Sequence, residues 1–228
     1  MRGRLGLLAG RNLMFILDRP ARRQEFPFLP RIAMEAHNHR LSEPAQPWVP
    51  GHDVQFYDDE EFLTSVVGRF LVDGVRAGQP VIVIATPSHQ QAFVNQMRAM
   101  GFDPDHLTPA RDIVWLDARE TLSAFMEGNR PNPELFEATV GNVFEKVTAN
   151  RRYALVRAYG EMVDLLWRDG KAEAAIAVEE HWNALASKYT FSLLCAYAGE
   201  SLRANPREDG REMICRTHSR VLPPKLVA

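Results

Sequence analysis

The run PVIVIATP at residues 80–87 is apolar at every position from Val81 to Ala85 and rich in β-branched side chains. A strand with one wet face alternates polar and apolar residues. This run therefore predicts a strand buried on both faces, as in a parallel sheet with helices above and below. Largely apolar stretches recur as VQFY (54–57), DIVWLDA (112–118), YALVRAY (153–159) and FSLLCAY (191–197). Helical signals separate them. Phe62, Leu63, Val66, Val67, Phe70 and Leu71 form one apolar face, with Gly74 and Gly78 closing that helix. Ser88 with Gln91 reads as a capping box opening a helix that ends at Gly101. Asp117 is placed to cap RETLSAFMEG, and Asn132-Pro133 opens the next helix. Residues 160–170 and 171–189 supply two more, and 207–222 predicts a C-terminal helix. Strands alternating with helices imply a three-layer α/β domain: a mostly parallel sheet with helices on both faces.

The regular pattern begins at residue 51 and runs to 222, leaving 223–228 as a short C-terminal tail. Residues 1–50 read differently, as a flexible Arg/Pro-rich tail with alternative starts at Met14 and Met34. Its first forty residues hold eight Arg and three acids, while the whole chain carries a net charge of -2. That balance argues against a nucleic-acid binder working by bulk electrostatics. Two cysteines make no disulfide framework. LGLLAGRNLMFILDRP is too interrupted to span a membrane or serve as a signal peptide, so a cytoplasmic home is the expectation.

In parallel sheets ligands sit at the carboxyl ends of the strands, which selects Tyr57–Glu61, Thr86–His89, Asp117–Glu120, Arg157–Glu161 and Tyr197. No phosphate-loop, dinucleotide, zinc-protease, nucleophile-elbow or paired CxxC motif occurs. The junction after the first strand instead holds Tyr57, Asp58, Asp59, Glu60 and Glu61. These acids either cap the following helix or line a site for something neutral or cationic. Arg157 interrupts an apolar strand and needs a partner or an opening to water. It is either half of a structural ion pair, with Glu161 as one candidate partner, or a ligand-binding guanidinium. Tyr57, Tyr159, Trp167, Trp182 and Tyr197 either line a pocket or fill the core. His52, His89 and His218 stand isolated and read as surface or capping residues. His181 with Glu179 and Glu180 does not share a helix face, so no metal set is read, and no cofactor is expected. The resulting ligand set is Tyr57, Asp58, Arg157, Tyr159, Glu161 and Tyr197, with no catalytic residue.

HDVQFYDDEEFLTSVVGRFLVDGVRAGQPVIVIATPSHQ, VWLDARETLSAFM, VRAYGEMVDLLW, EEHWNALASKYTFSLLCAY and ICRTHSRVLP together resemble the MEDS domain. This sensory family takes its name from methanogens, methylotrophs and the repressor of dichloromethane utilisation. The resemblance covers roughly residues 52–222. It implies a non-catalytic module of bacterial and archaeal signal transduction and transcription regulation that detects a small molecule, a hydrocarbon derivative being the proposed class. Such domains stand alone, beside histidine-kinase modules, or behind a DNA-binding helix-turn-helix. The first fifty residues lack two periodic helices, so output is expected through a partner such as a histidine kinase or transcription regulator. Direct nucleic-acid contact and membrane association are not expected, and a homo-oligomer is open. The element order is also similar to the RecA-like core of KaiC-type ATPases, with YDDEE in place of the phosphate loop. Three readings stand: a ligand-binding sensor, a ligand-free interaction module, and a divergent nucleotide-binding domain.

Overall fold

The computed structural model describes residues 48–106, 113–149, 151 and 154–225; the N-terminal tail up to residue 47 and the final three residues lie outside them. In chain order the first half runs β1 (Gly51–Tyr57), α1 (Glu60–Arg76), β2 (Val81–Ala85), α2 (Pro87–Ala99), β3 (Ile113–Asp117) and α3 (Ala118–Phe125). A small hairpin of β4 (Met126–Glu127) and β5 (Arg130–Pro131) leads into α4 (Pro133–Phe136), a π-helical turn and α5 (Asn142–Thr148). Then follow β6 (Val156–Gly160), α6 (Met162–Arg168), α7 (Ala172–Leu185), β7 (Phe191–Ala198), α8 (Gly199–Ala204), α9 (Gly210–Thr217) and β8 (Arg220–Val221).

The main sheet has the order β3-β2-β6-β7-β1-β8 with every pairing parallel. All five residues of β2 are buried, as its composition requires. Alternation along the strands divides the core in two. On one face Val81, Val83, Tyr159 and Ala196 pack against Leu63, Val67, Phe70 and Leu71 of α1 and Phe93 of α2. On the other, Ile82, Ala158, Leu193 and Tyr197 meet Phe125, Trp167, Val178 and Trp182. The architecture is the predicted three-layer α/β fold. Because β6 and β7 lie between β1 and β2, the carboxyl ends of these four strands stand side by side, at the kind of order reversal where α/β sheets form crevices.

Asp59, Asp117 and Asn132 cap α1, α3 and α4 with their side chains, since each acid or amide directly precedes an apolar-periodic helix. Three local expectations need correction. The helix expected to be capped by Ser88 starts two residues earlier, at Pro87 after an N-cap Thr86 that makes no side-chain cap bond; proline's fixed φ serves as the start signal. The expected helix over 207–222 stops at Thr217. His218 turns extended, and Ser219 and Leu222 donate backbone N–H groups to His52 and Val54, so β8 covers the open edge of β1.

Gly74 does not close α1, which continues to Arg76. A Cβ on Gly74 would stand 2.6 Å from Cδ of Arg157, whose side chain crosses the helix there. Gly74→Ala is therefore expected to lower stability in urea unfolding by about 1–3 kcal/mol. In an unpacked helix the same exchange would be favourable by up to about 1 kcal/mol.

Candidate functional site

β1 ends at Tyr57, and the chain turns through Asp58 and Asp59 into α1. One carboxylate oxygen of Asp59 accepts the amides of Glu61 (2.8 Å) and Phe62 (3.2 Å), and the other accepts Nζ of Lys225. The lysine hydrogen bond, with the Phe62 amide, holds the Asp59 carboxyl below its ordinary pKa. Asp58 pairs with Arg203 at 2.8 Å. Two of the free amides that a phosphate would need at this helix N-terminus are thus occupied by the chain's own acid.

Glu161, the residue after β6, is almost fully buried at 4% exposure. Its Oε1 accepts the Thr86 amide at 2.6 Å, while Oε2 accepts His89 Nδ1 at 2.5 Å and the Tyr159 hydroxyl at 3.1 Å. The other ring nitrogen of His89 lies 2.8 Å from Glu60 Oε2. Carboxylates only accept, so both nitrogens carry protons and His89 is an imidazolium bridging α1, α2 and β6. Burial opposes that charge, but the hydrogen bond and charge of Glu161, then those of Glu60, raise the pKa to about 9. The ion-paired form stabilises the fold fully below the ordinary value of 6.5, and its contribution is lost as pH rises through about 9. Relative to His89→Gln, the wild-type chain is expected to lose about 2 kcal/mol between neutral and alkaline pH, read by urea unfolding at each pH.

Next to β6, Asp164 accepts the Ala198 amide at 3.0 Å and Arg168 at 2.9 Å, tying α6 to the end of β7. Burial raises the Asp164 pKa against these bonds. Burial, with the charges of Asp164, Glu60 and Glu161, pushes the Tyr57 phenol far up, so it stays neutral.

A groove of about 690 Å³ opens at the β1 end of this row. Its floor is aromatic and aliphatic: Phe56, Tyr57, Phe62, Trp167 and Leu202. Its rim carries Asp58 with Arg203, Arg207, Arg211 and Lys225. The Arg211 guanidinium lies over the Phe56 ring, 4.3 Å from its centroid, a cation–π contact within the lining. The volume falls within the range of small-molecule sites, which combine an apolar lining with a few polar anchors.

The six predicted ligand residues are not brought together. Tyr57 and Asp58 line the groove. Tyr159 and Glu161 form the buried hydrogen-bonded cluster with His89. Tyr197 faces the opposite side of the sheet and donates to Glu179 at 2.8 Å. Arg157 lies at the second position of β6, not near its end, because the strand begins at Val156. It donates to Gln79 (2.8 Å) and the Phe70 carbonyl (3.3 Å), beneath the rings of Phe70 and Trp48, far from any pairing with Glu161.

The three histidines read as surface or capping groups need the same revision. His52 is 4% exposed and bonded to Asn183, His89 bridges two carboxylates, and the His218 side chain is buried against Glu179. Each finds its partner across at least 29 residues of sequence, where spacing gives no signal. Trp167 does both things the sequence leaves open, sitting in the core with an edge on the groove, while nothing in the sequence singles out Leu202.

Among curated proteins none matches the chain. The family model described as the methanogen/methylotroph, DcmR sensory domain matches residues 51–219, from the first residue of β1 to the turn before β8. The span includes the α1 cap, the Glu161 cluster and most of the groove lining, and the chain belongs to the MEDS family of sensory domains.

Proposed function

We propose that the domain senses a small, mostly apolar organic molecule in the groove at the end of β1 and signals through a partner protein, without catalysis. The observation that carries this reading is the groove's composition: an aromatic and aliphatic floor beneath a rim of paired charges. A hydrocarbon derivative with one polar group suits that surface. The apolar body would cover Phe62, Trp167 and Leu202, and the polar end would compete for Asp58, Arg203 or Arg211.

Several of these residues also suit a transducing role. Leu202, Arg203, Arg207 and Arg211 belong to α8, α9 and the link between them, which are short elements at the domain edge. A ligand that breaks the Asp58–Arg203 pair would shift this corner and alter what a kinase or transcription regulator meets there. Nucleotide binding is disfavoured by Asp59, whose carboxylate occupies the amides and places negative charge where phosphate would sit.

Thermal unfolding across a panel of small alcohols, halocarbons and organic acids tests the reading. A true ligand at 100 times its Kd adds about 2.7 kcal/mol, or a Tm rise of about 5–10 °C for a domain of this size. Leu202→Trp, which fills the groove, is expected to abolish the rise while leaving the unliganded Tm within a few degrees. A shift that persists in Leu202→Trp, or one produced by Mg-ATP instead, overturns it.

A further inference from the structure

On the sheet face opposite α1, four side chains from distant parts of the chain converge: His52 of β1, Glu179 of α7, Cys195 of β7 and His218 at the end of α9. Their donor atoms all lie within 4.8 Å of one another. His52 Nε2 is 3.3 Å from Cys195 Sγ and 3.1 Å from Glu179 Oε2, and Cys195 Sγ is 3.4 Å from the same oxygen. His218 Nε2 is 3.4 Å from the other oxygen, Oε1. In tetrahedral zinc, bonds of about 2.0–2.3 Å set donors about 3.3–3.7 Å apart. These four contacts lie within a few tenths of an ångström of that spacing.

The hydrogen bonds behind the histidines fix which nitrogen faces inward. Asn183 donates its amide nitrogen to the Thr217 carbonyl at 2.9 Å, which leaves Oδ1 to accept from His52 Nδ1 at 3.0 Å. His218 Nδ1 donates to the Ile214 carbonyl at 2.6 Å. Each ring is thus held by its Nδ1–H, with Nε2 turned to the cluster. Nε2 of His218 is buried and, among the described residues, makes no close hydrogen bond, facing Glu179 Oε1 at 3.4 Å. Outer acceptors of this kind orient histidine ligands at zinc sites. Tyr197 donates to Glu179 and orients the carboxylate in the same way.

From this geometry we infer that His52, Glu179, Cys195 and His218 form a closed, four-coordinate site for a zinc ion. The charges balance: two neutral imidazoles, one carboxylate and one thiolate bring −2 to a dication in a position shielded from water. On binding, the Cys195 thiol proton and the protons that Nε2 of His52 and His218 present to Glu179 leave to solvent, and bonds to the metal replace them. Bound zinc would join α9 and the turn into β8 to β1, β7 and α7, holding the C-terminal elements on the sheet. The site is separate from the groove and does not depend on its occupant.

Full-length protein stripped with chelator and titrated with Co²⁺ tests this directly. One equivalent is expected to bind with the visible bands of tetrahedral cobalt and a thiolate charge-transfer band, and Zn²⁺ should then displace it. Cys195→Ser should lose the charge-transfer band, while Cys215→Ser, which changes the chain's other cysteine, should keep it. Asn183→Ala, which removes the outer support of His52 together with the bond to the Thr217 carbonyl, should weaken binding about 10–100-fold. Far-ultraviolet circular dichroism in chelator checks that each variant is folded. If Cys195→Ser does not fold, the wild-type spectrum and the Cys215→Ser control still decide. Absence of stoichiometric uptake by the folded wild-type chain, tetrahedral cobalt without the thiolate band, or loss of the band in Cys215→Ser would sink the assignment.

Discussion

Replacing Glu161 with Ala is expected to lower the unfolding free energy by about 3–5 kcal/mol, the range for breaking a buried ion pair from one side. The carboxylate serves three donors at once: the Thr86 amide, the His89 imidazolium and the Tyr159 hydroxyl. Tyr159 is fully buried and cannot turn to water, so its hydroxyl would be left unpaired. His89 keeps Glu60, but that carboxylate is two-thirds exposed and screened by solvent, so its pairing is worth much less. Glu161→Gln is the sharper control. Its amide oxygen can still accept from Thr86, while its neutral head no longer supports the imidazolium. It should cost about half as much as Ala and should flatten the alkaline loss of stability that His89 confers. Urea unfolding of both variants at two pH values measures this; equal losses for Gln and Ala at every pH would show that the lost charge accounts for the whole cost and the cavity for none of it.

Much of the scaffold is legible in the sequence because its signals are local. Val81–Ala85 can only be a strand covered on both faces, and Asp59, Asp117 and Asn132 announce the helices they cap. The expectation that the acids after β1 would cap α1 fits Asp59, and the counter-charges of these acids are His89, Arg203 and Lys225. These partners lie 29 to 166 residues away, and strand order, not spacing, decides which of them meet. The same limit hid the cluster of His52, Glu179, Cys195 and His218. Glu179 and the nearby His181 stand two residues apart on α7 and do not share a face. The histidines that do reach it come from the opposite ends of the domain. Strand bounds mattered as much: starting β6 at residue 153 puts Arg157 at the ligand end of the sheet, and starting it at Val156 puts it at the other.

Arg157 itself should behave oppositely in two substitutions. It is 3% exposed, and its guanidinium meets an amide oxygen, a carbonyl and the ring of Phe70, 4.8 Å from its carbon to the ring centroid. Burial depresses its pKa to about 10, against only the pull of Asp73. A charge desolvated this far with no direct carboxylate partner among the described residues contributes little net stability, whereas its aliphatic stem fills the space above Gly74. Arg157→Met keeps the stem's volume and removes the desolvated charge, so its stability is expected to fall within about 1 kcal/mol of wild type or above it. Arg157→Ala opens a cavity under Phe70 and is expected to cost about 3 kcal/mol. The loss should be coupled to Gly74: in the Arg157→Ala background, Gly74→Ala loses its clash and becomes neutral or favourable, a non-additivity that a double-mutant cycle in urea reads directly. If Met costs as much as Ala, the guanidinium's polar contacts hold this corner of the sheet and its packing does not.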